Sequence, residues 1–236
     1  MTKTFKVLSA LLSYPDADLI GAAPELRNAL DEESLLPPDA RPLLDALIED
    51  IAAGDVYDLQ ERYIELFDRT RSLSLHLFEH VHGESRDRGQ AMIDLKAQYV
   101  QNGLILSSTE LPDYLPAFLE FLSMRPFPEA VQMLGQTTHI LTALAERLHK
   151  RGAPYEAVFR ALEVLAVPAA DTAELEVVPE DPDFDPNDFA ALDAQWEEEA
   201  VTFGPDAAPS CKDRLVAQIR AGRRPVSDVP VKGETP

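Results

Sequence analysis

The stretch PEAVQMLGQTTHILTALAERLHKRGAP, residues 128–154, has the periodicity of an α-helix that packs inside a protein. Side chains suited to a core recur every three or four residues and so share one helix face. The residues on this face are Val131, Leu134, Thr138, Leu141, Leu144 and Leu148. Basic residues at 149–151, then Gly152 and Pro154, are typical of a helix C-terminus. The stretch therefore predicts one core helix that begins near Pro128.

Helical periodicity continues in both directions, from residue 4 to about residue 167, without a convincing alternating strand pattern. Phe5–Leu12 marks a first core helix, and 55–69 and 111–124 mark two more. A last core helix carries apolar residues from Tyr155 to Leu165 and ends before Pro168. We expect an all-α fold, with a single helical bundle domain over residues 1–167.

Capping chemistry indicates where one of these helices begins. Asp113 is suited to cap the 111–124 helix, because Pro116 then lies in the first turn, where its missing N–H group costs nothing. The core-facing residues of this helix are Leu115, Phe118, Leu119 and Leu122. Asp113 is therefore predicted to be an N-cap.

The composition changes after the last core helix. Between Pro168 and Glu199 there are twelve acidic residues, four prolines and no Lys or Arg. We expect residues 168–236 to form an acidic, partly disordered C-terminal tail with one short amphipathic helix near 187–203, capped by Asn187. Its apolar residues are Phe189, Leu192, Trp196, Ala200 and Phe203. Docking of this helix on its own domain is favoured over binding to a partner.

Charge and cysteine content exclude several classes of function. The formal net charge is −21, which disfavours nucleic acid and anionic lipid as partners and favours basic ones. Cys211 is the only cysteine, so neither an internal disulfide nor a thiolate cluster can form. The apolar run Phe5–Leu12 is broken by Lys6 and Ser9, unlike a signal peptide, and no stretch approaches a membrane span. We expect a cytoplasmic protein.

The stretch HLFEHVHGESRDRG, residues 76–89, holds three of the chain's five histidines. In a helix counted from Leu73 to Gly83, His76 and His80 would be neighbours on one polar flank. Two histidines are fewer than the ligands a structural or catalytic zinc ion needs. No nucleophile elbow, phosphate-binding loop or HExxH motif accompanies them. Hydrogen-bonded histidines at a helix end are therefore favoured over a metal site or a catalytic site.

A second helix is predicted directly after this one. Ser85 can cap it, and Asp87 in its first turn is favourable. Gly89 would then lie inside the helix, where glycine costs about 1 kcal/mol relative to alanine. We expect another backbone or a ligand to approach Gly89 closely and offset that cost.

The segment YIELFDRTRSLSLHLFEHVHGESRDRGQAMIDLKAQY, residues 63–99, resembles the signature of the respiratory nitrate reductase delta subunit, the NarJ family. This family belongs to the TorD-like group of molybdenum-cofactor assembly chaperones. ELPDYLPAFLEFL, residues 110–122, and ALDAQWEEEAVTF, residues 191–203, are similar to further family segments. The resemblance covers nearly the whole chain in order.

The resemblance implies an all-helical cytoplasmic chaperone that is not an enzyme. Such chaperones bind the N-terminal segment of the nitrate reductase catalytic (alpha) subunit. They keep it competent for insertion of a molybdenum cofactor and an iron–sulfur cluster before it docks on its membrane anchor. The chaperone would hold no cofactor stably and would not be part of the mature enzyme.

The resemblance also implies a set of client-binding residues. Tyr63, Leu66 and Phe67 match a Tyr-x-x-Leu-Phe motif, and Asp113 matches the acid of an Asp-His pair, although Tyr114 stands where histidine is common. A basic amphipathic client would need an apolar groove rimmed by carboxylates. The local candidates for that rim are Asp68, Glu79, Glu84 and Asp87, and the remaining candidate contacts are His80 and Gly89.

Three alternatives remain open from the sequence. The chain could be the chaperone of a different molybdoenzyme. It could be a helical metalloenzyme that uses His76 and His80. It could also be an acidic adaptor that binds basic peptides without sequence preference.

Overall fold

The computed structural model describes residues 1–81, 85–107 and 110–166 of the 236-residue chain. The described residues form ten helices: α1 Lys3–Leu11, α2 Ala17–Gly21, α3 Ala23–Glu33, α4 Arg41–Ala53, α5 Val56–Phe67, α6 Ser85–Gln101, α7 Leu115–Ser123, α8 Phe127–Gly135, α9 Thr138–Lys150 and α10 Glu156–Leu165. Two short 3₁₀ turns, Arg71–Leu73 and Leu77–Glu79, lie between α5 and α6. The all-α prediction is confirmed. The predicted tail and its helix near 187–203 lie outside the described residues.

The core forms around α1 and α7, which pack against each other. The predicted apolar residues of α1, Phe5, Leu8, Leu11 and Leu12, are fully buried. In α7 every residue except Glu120 is buried, as expected for a helix that is apolar on nearly all sides. α1 also contacts α3, α7 contacts α8, and the α9–α10 pair completes the bundle through contacts of α10 with α4.

The single helix predicted from Pro128 to Lys150 is wrong, because the chain forms two helices there. α8 ends at Gly135, and α9 begins at Thr138. The Thr137 hydroxyl donates to the Leu134 carbonyl at 2.8 Å, and the Thr138 hydroxyl donates to the Gly135 carbonyl at 2.9 Å. Threonine hydroxyls that bond nearby carbonyls compete with the helical pattern, and Gly135 lowers helix propensity further.

The helix predicted from Leu73 to Gly83 is also wrong over its described part. Instead of a helix, residues 74–78 run alongside residues 113–115. The Leu77 amide donates to the Asp113 carbonyl at 3.0 Å, and the Leu115 amide donates to the Leu75 carbonyl at 2.8 Å. His76 and Tyr114 form an isolated antiparallel bridge between these bonds. Residues 72–77 alternate Ser-Leu-Ser-Leu-His-Leu, a period of two that suits this extended pairing better than a helix.

Asp113 does not cap α7, so this prediction is wrong as well. The helix begins at Leu115, its N-cap is Tyr114, and no side chain makes a capping hydrogen bond. The Asp113 carboxylate is fully buried and points to the segment that contains His76 and Phe78. Pro116 does lie in the first turn of α7, as predicted.

None of the helices in the described ranges is both long enough and apolar enough to cross a lipid bilayer.

Candidate functional site

A small cavity of about 190 Å³ lies where α1 ends, where α5 ends and where the two paired segments meet. Its lining residues are Tyr14, Tyr63, Phe67, Asp68, Leu75, His76 and Tyr114. Most of this wall is aromatic or aliphatic, with one carboxylate and one imidazole. The cavity therefore offers apolar contact together with a few oriented polar groups, the composition expected of a binding pocket.

The C-terminal half of α5 forms one wall of this pocket. Tyr63 and Phe67 lie one turn apart and are both buried, and their rings pack 5.0 Å apart. Phe67 also makes an edge-on contact with Tyr155 at 5.1 Å, and Tyr14 makes one with Tyr63 at 5.5 Å. These tilted contacts are the favourable arrangement for aromatic pairs, so neighbouring rings fix the position of the wall.

A chain of hydroxyl groups joins two pocket tyrosines. The Tyr63 hydroxyl donates to the Leu12 carbonyl at 2.9 Å, so its oxygen is left to accept a hydrogen bond from the Tyr114 hydroxyl at 3.0 Å. Burial raises the pKa of both phenols above the usual range, so both stay neutral at physiological pH. This bond holds the Tyr114 ring across the cavity from α5.

The opposite wall is held by the buried carboxylate of Asp113. It accepts hydrogen bonds from the His76 Nδ1 group and from the Phe78 amide, each at 3.2 Å. The hydrogen bond from His76 to Asp113 is the main reason that the pKa of His76 is raised above its usual value. The His76 ring packs on Tyr114 at 5.4 Å. The Asp-His contact of this chain is thus made between Asp113 and His76, from separate segments.

Asp68 contributes the only carboxylate to the pocket lining. The pKa of the Asp68 carboxyl is raised above its usual value, because the effect of partial burial exceeds the opposite effect of the neighbouring His76. Among the described residues, no Lys, Arg or His forms an ion pair with Asp68, whereas Glu79 pairs with Arg88 and Asp113 with His76. A partly desolvated carboxylate that forms no ion pair with a described residue, beside an apolar cavity, is suited to a ligand that carries positive charge.

The structure brings some of the predicted site residues together and separates others. Tyr63, Phe67, Asp68 and Tyr114 line the pocket, and Asp113 supports it from behind through His76. Leu66 packs against the core and does not line the cavity. Glu79 does not line the cavity, and its carboxylate accepts a hydrogen bond from the Arg88 guanidinium at 3.4 Å. Glu84 and the Asp87 side chain lie outside what the structure describes.

His80 is almost completely buried and does not line the pocket. Its Nε2 group donates to the Ser74 carbonyl at 2.6 Å, so the neutral ring carries its proton on that nitrogen. Burial lowers the pKa of His80 to about 4. The hydrogen bond from His80 to Ser74 stabilises the position of the segment that carries Leu75 and His76.

Acidification from pH 7 to pH 5 is expected to lower the free energy of unfolding through His80. The unfolded chain takes up a proton near pH 6.5 and the folded chain does not, so stability falls as the pH drops through this window. One pKa unit corresponds to about 1.4 kcal/mol, so His80 accounts for about 2 kcal/mol by pH 5. Urea denaturation at several pH values measures it.

His80→Gln, which keeps a donor for Ser74 but does not titrate, is the control and should flatten this dependence. Burial also lowers the pKa of His139 to about 4, so His139 adds to the loss of stability on acidification. The pKa of His76 is raised, so His76 adds stability as the pH falls and acts in the opposite direction. An unchanged slope in His80→Gln would contradict the prediction, because it would show that His80 takes up its proton alike in the folded and the unfolded chain.

Gly89 lies inside α6, and no described backbone makes the close approach predicted for it, while approach of a ligand stays a prediction. Its backbone is exposed, and a Cβ atom built there meets no described atom within 4 Å. The glycine therefore bears its helix-propensity cost without a packing contact from the described part of the chain.

Gly89→Ala is expected to raise the free energy of unfolding by up to about 1 kcal/mol, because alanine loses less backbone entropy in a helix. Ala97→Gly, at an exposed position of the same helix, is the matched control and should lower stability by a similar amount. Denaturant titration measures both. A destabilised Gly89→Ala variant would mean that some other part of the chain packs on this position.

Tyr14, Leu75 and His76 line the pocket but were not predicted as client contacts. Tyr14 lies three residues after the end of α1 and directly before Pro15, so an aromatic residue close to a helix end was an available signal. The contact of His76 with Asp113 joins residues 37 positions apart, and no local periodicity indicates it. Leu75 would have been found from the alternation of residues 72–77.

Histidine side chains do not gather into a metal site in the described ranges. His76 and His80 each use one ring nitrogen for an internal hydrogen bond. The described residues contain no group of three or more His, Cys, Asp or Glu side chains placed to hold an ion.

Comparison with known proteins assigns the chain to a family. Residues 23–161 match the family described as nitrate reductase delta subunit. The nitrate reductase molybdenum cofactor assembly chaperone NarJ of Escherichia coli strain K12 is 46% identical, over 89% of this chain and 88% of that protein. The probable chaperone NarW of the same strain, also named for nitrate reductase molybdenum cofactor assembly, is 43% identical over 91% and 90%.

A more distant relative supports the same assignment. The probable nitrate reductase molybdenum cofactor assembly chaperone NarJ of Bacillus subtilis strain 168 is 31% identical over 67% of this chain and 85% of that protein. These three relatives are named as assembly chaperones and not as enzymes. This chain therefore belongs to the nitrate reductase delta subunit family, that of the molybdenum cofactor assembly chaperones.

Proposed function

We propose that the chain is the dedicated cytoplasmic assembly chaperone of a respiratory nitrate reductase. It binds the N-terminal segment of the catalytic (alpha) subunit. It keeps this client competent to receive a molybdenum cofactor and an iron–sulfur cluster before the client docks on its membrane anchor. The chaperone holds no cofactor stably and is not part of the finished enzyme. Family membership and the names of the relatives support the client and the cofactor.

The observation that carries the proposal is the aromatic pocket beside the unpaired Asp68. The cavity volume of about 190 Å³ suits a single large apolar side chain rather than a whole cofactor. Complete burial of a Leu or Phe side chain contributes about 1.5–3 kcal/mol, which is enough to anchor one end of a peptide. The pocket thus fits a short apolar anchor of an unfolded segment.

Electrostatics favour a client segment with basic residues next to this anchor. Asp68 lies at the pocket and forms no ion pair with a described residue, and the chain as a whole carries −21 formal charges. Long-range attraction speeds the encounter, but it is largely screened at physiological ionic strength, where the Debye length is about 8 Å. Tight binding must then depend on contacts inside the pocket.

Calorimetric titration with three peptides tests the proposal. The peptides are the N-terminal segment of the catalytic subunit, its scrambled sequence, and the N-terminal segment of a different molybdoenzyme. We expect the protein to bind only the first peptide, and we expect the apolar contribution to this binding to persist in half-molar salt. Equal binding of the scrambled peptide would favour the acidic adaptor, and preference for the third peptide would favour a different client.

Asp68→Asn is expected to weaken binding of the cognate peptide and to flatten its salt dependence, because the variant loses the charge but keeps the shape. A charge pair at a partly exposed site contributes up to about 1 kcal/mol, a few-fold in affinity at low salt. Asp39→Asn, which removes an exposed carboxylate away from the pocket lining, is the matched control. Identical salt slopes for the two variants would remove Asp68 from the site.

A further inference from the structure

The outer face of α5 leads directly into the pocket and exposes apolar side chains. At about 100° per residue, positions 57, 61, 64 and 68 fall within about 60° of one another, along a line about 16 Å long. Tyr57 is 77% exposed and Ile64 is 37% exposed on this line. Asp68, at its end, belongs to the pocket lining. We name Tyr57, Glu61, Ile64 and Asp68 the α5 ridge.

The carboxylates of this helix form no ion pair with a described residue, whereas α3, α4, α8 and α10 each pair at least one of theirs. Ion pairs engage acidic residues of the other helices, such as Glu32 and Glu49, Asp45, Glu129 and Glu156. Within the described ranges, none of the four acidic groups on or next to the ridge has an ion-pair partner. These groups are Asp58, Glu61, Glu65 and Asp68.

Two nearby cations do not neutralise the ridge. Arg62 of α5 turns towards α4 and pairs with Asp50. Arg69 follows Asp68 beyond the end of the helix and forms no ion pair with a described residue. The ridge therefore combines exposed apolar groups with an excess of negative charge.

We propose that the α5 ridge is an extension of the client site, which holds the part of the client segment adjoining the pocket-bound anchor. This inference rests on the proposed function. The occupant is a basic segment with apolar side chains that contact Tyr57 and Ile64 and with Lys or Arg side chains that reach the four carboxylates. Helix-face recognition of this kind uses a few apolar anchors spaced along the helix with charges beside them.

Other occupants fit the ridge less well. A second copy of the chain carries the same −21 charge and would bring acidic groups against acidic groups. The chain's own residues 168–199 contain twelve acidic residues and no Lys or Arg, so they are repelled as well. Residues 200–236 carry six Lys or Arg against four acidic residues, and their occupancy is an outcome of the test, because the ridge variant would then bind the long client peptide no more weakly than the wild type. Continuity with the pocket and charge complementarity both favour the basic client.

The test compares a long and a short client peptide on the full-length protein. The long peptide is the N-terminal segment of the catalytic subunit, about 25 residues, enough to fill the pocket and follow the ridge of about 16 Å. The short peptides, about five residues each, divide this segment, and the one that binds contains the anchor. At no more than about 18 Å when extended, such a peptide cannot both fill the pocket and follow the ridge. The ridge variant is Tyr57→Ala with Ile64→Ala, and the pocket variant is Tyr114→Ala.

We expect the ridge variant to bind the long peptide about tenfold more weakly than the wild type and to bind the short anchor peptide with unchanged affinity. The pocket variant should weaken both peptides. Leu43→Ala with Val164→Ala removes apolar side chains of similar exposure, 52% each, from α4 and α10, and should change neither. Glu61→Gln with Glu65→Gln should reduce the salt dependence of long-peptide binding and leave that of short-peptide binding unchanged.

Failure of the two proposals can be distinguished. If the ridge variant binds the long peptide like the wild type while the pocket variant does not, the extension along α5 is wrong and the pocket stands. If the wild-type protein binds neither peptide, the proposed function is wrong, and the ridge proposal fails with it.

Discussion

Asp113→Ala is expected to lower the free energy of unfolding by about 3 kcal/mol, because it removes a buried charge-assisted network. In the wild type the Phe78 amide and the His76 ring both donate to the Asp113 carboxylate, each at 3.2 Å. The substitution leaves the amide without an acceptor and the ring without its partner. It also weakens the pairing of 75–77 with 113–115, which shapes one wall of the pocket. Urea denaturation followed by circular dichroism measures the loss.

Asp113→Asn is the matched variant, since its amide oxygen can still accept from Phe78 while the negative charge is gone. The pKa of His76 is higher in the folded protein than in the unfolded chain. His76 therefore stabilises the folded protein at pH values below its pKa in the unfolded chain, and this stabilisation is lost as the pH rises through its pKa in the folded protein. The cost of Asp113→Asn should therefore be larger at pH 6 than at pH 8. A cost below about 1 kcal/mol for Asp113→Ala would contradict the network.

Tyr114→Ala is expected to weaken the affinity for the cognate client peptide by about a hundredfold, the size of effect found for central aromatic contacts. The ring closes one side of the pocket, packs on His76 at 5.4 Å and is held to Tyr63 at 3.0 Å. Its removal opens the cavity to water and deprives the client anchor of one wall. Calorimetric titration at physiological salt measures the change.

Tyr114→Phe separates the ring from its hydroxyl and is the control for this prediction. It keeps the wall and loses only the hydrogen bond to Tyr63, so its peptide affinity should stay within a few-fold of the wild type. Both variants must first be shown to fold, by circular dichroism and thermal unfolding. A folded Tyr114→Ala protein with wild-type affinity would exclude the pocket as the client site.

The helical class and the core could be predicted because both depend on local periodicity. Phe5, Leu8 and Leu11 recur at helical spacing, and all three are fully buried in α1. The break at Gln136–Thr137 was missed because apolar spacing continues across it. Two threonine hydroxyls and one glycine decide the break, and these act through local hydrogen bonds.

The candidate site could be predicted only where it coincides with a sequence motif. Tyr63 and Phe67 come from one helix and were identified through the family resemblance, and the structure places both at the pocket. His76 was assigned to a helix flank, because its actual partner, Asp113, is distant in sequence. Backbone pairing of 75–77 with 113–115 brings the two together. The alternation of residues 72–77 indicates an extended segment, but no local pattern identifies residues 113–115 as its partner.

Site-specific photo-cross-linking tests the central claim most directly, namely that this pocket receives the N-terminal segment of the nitrate reductase catalytic subunit. A benzophenone amino acid at the position of Tyr14, which is 47% exposed at the pocket, reacts only with groups that come into contact with it. The matched control carries it at the position of Leu43 on α4, which is 52% exposed. After irradiation with the full catalytic subunit, mass spectrometry identifies the cross-linked peptides. We expect cross-links from position 14 to the N-terminal segment and none from position 43. Cross-links from position 14 only to internal parts of the subunit, or equal yields from both positions, would contradict the account.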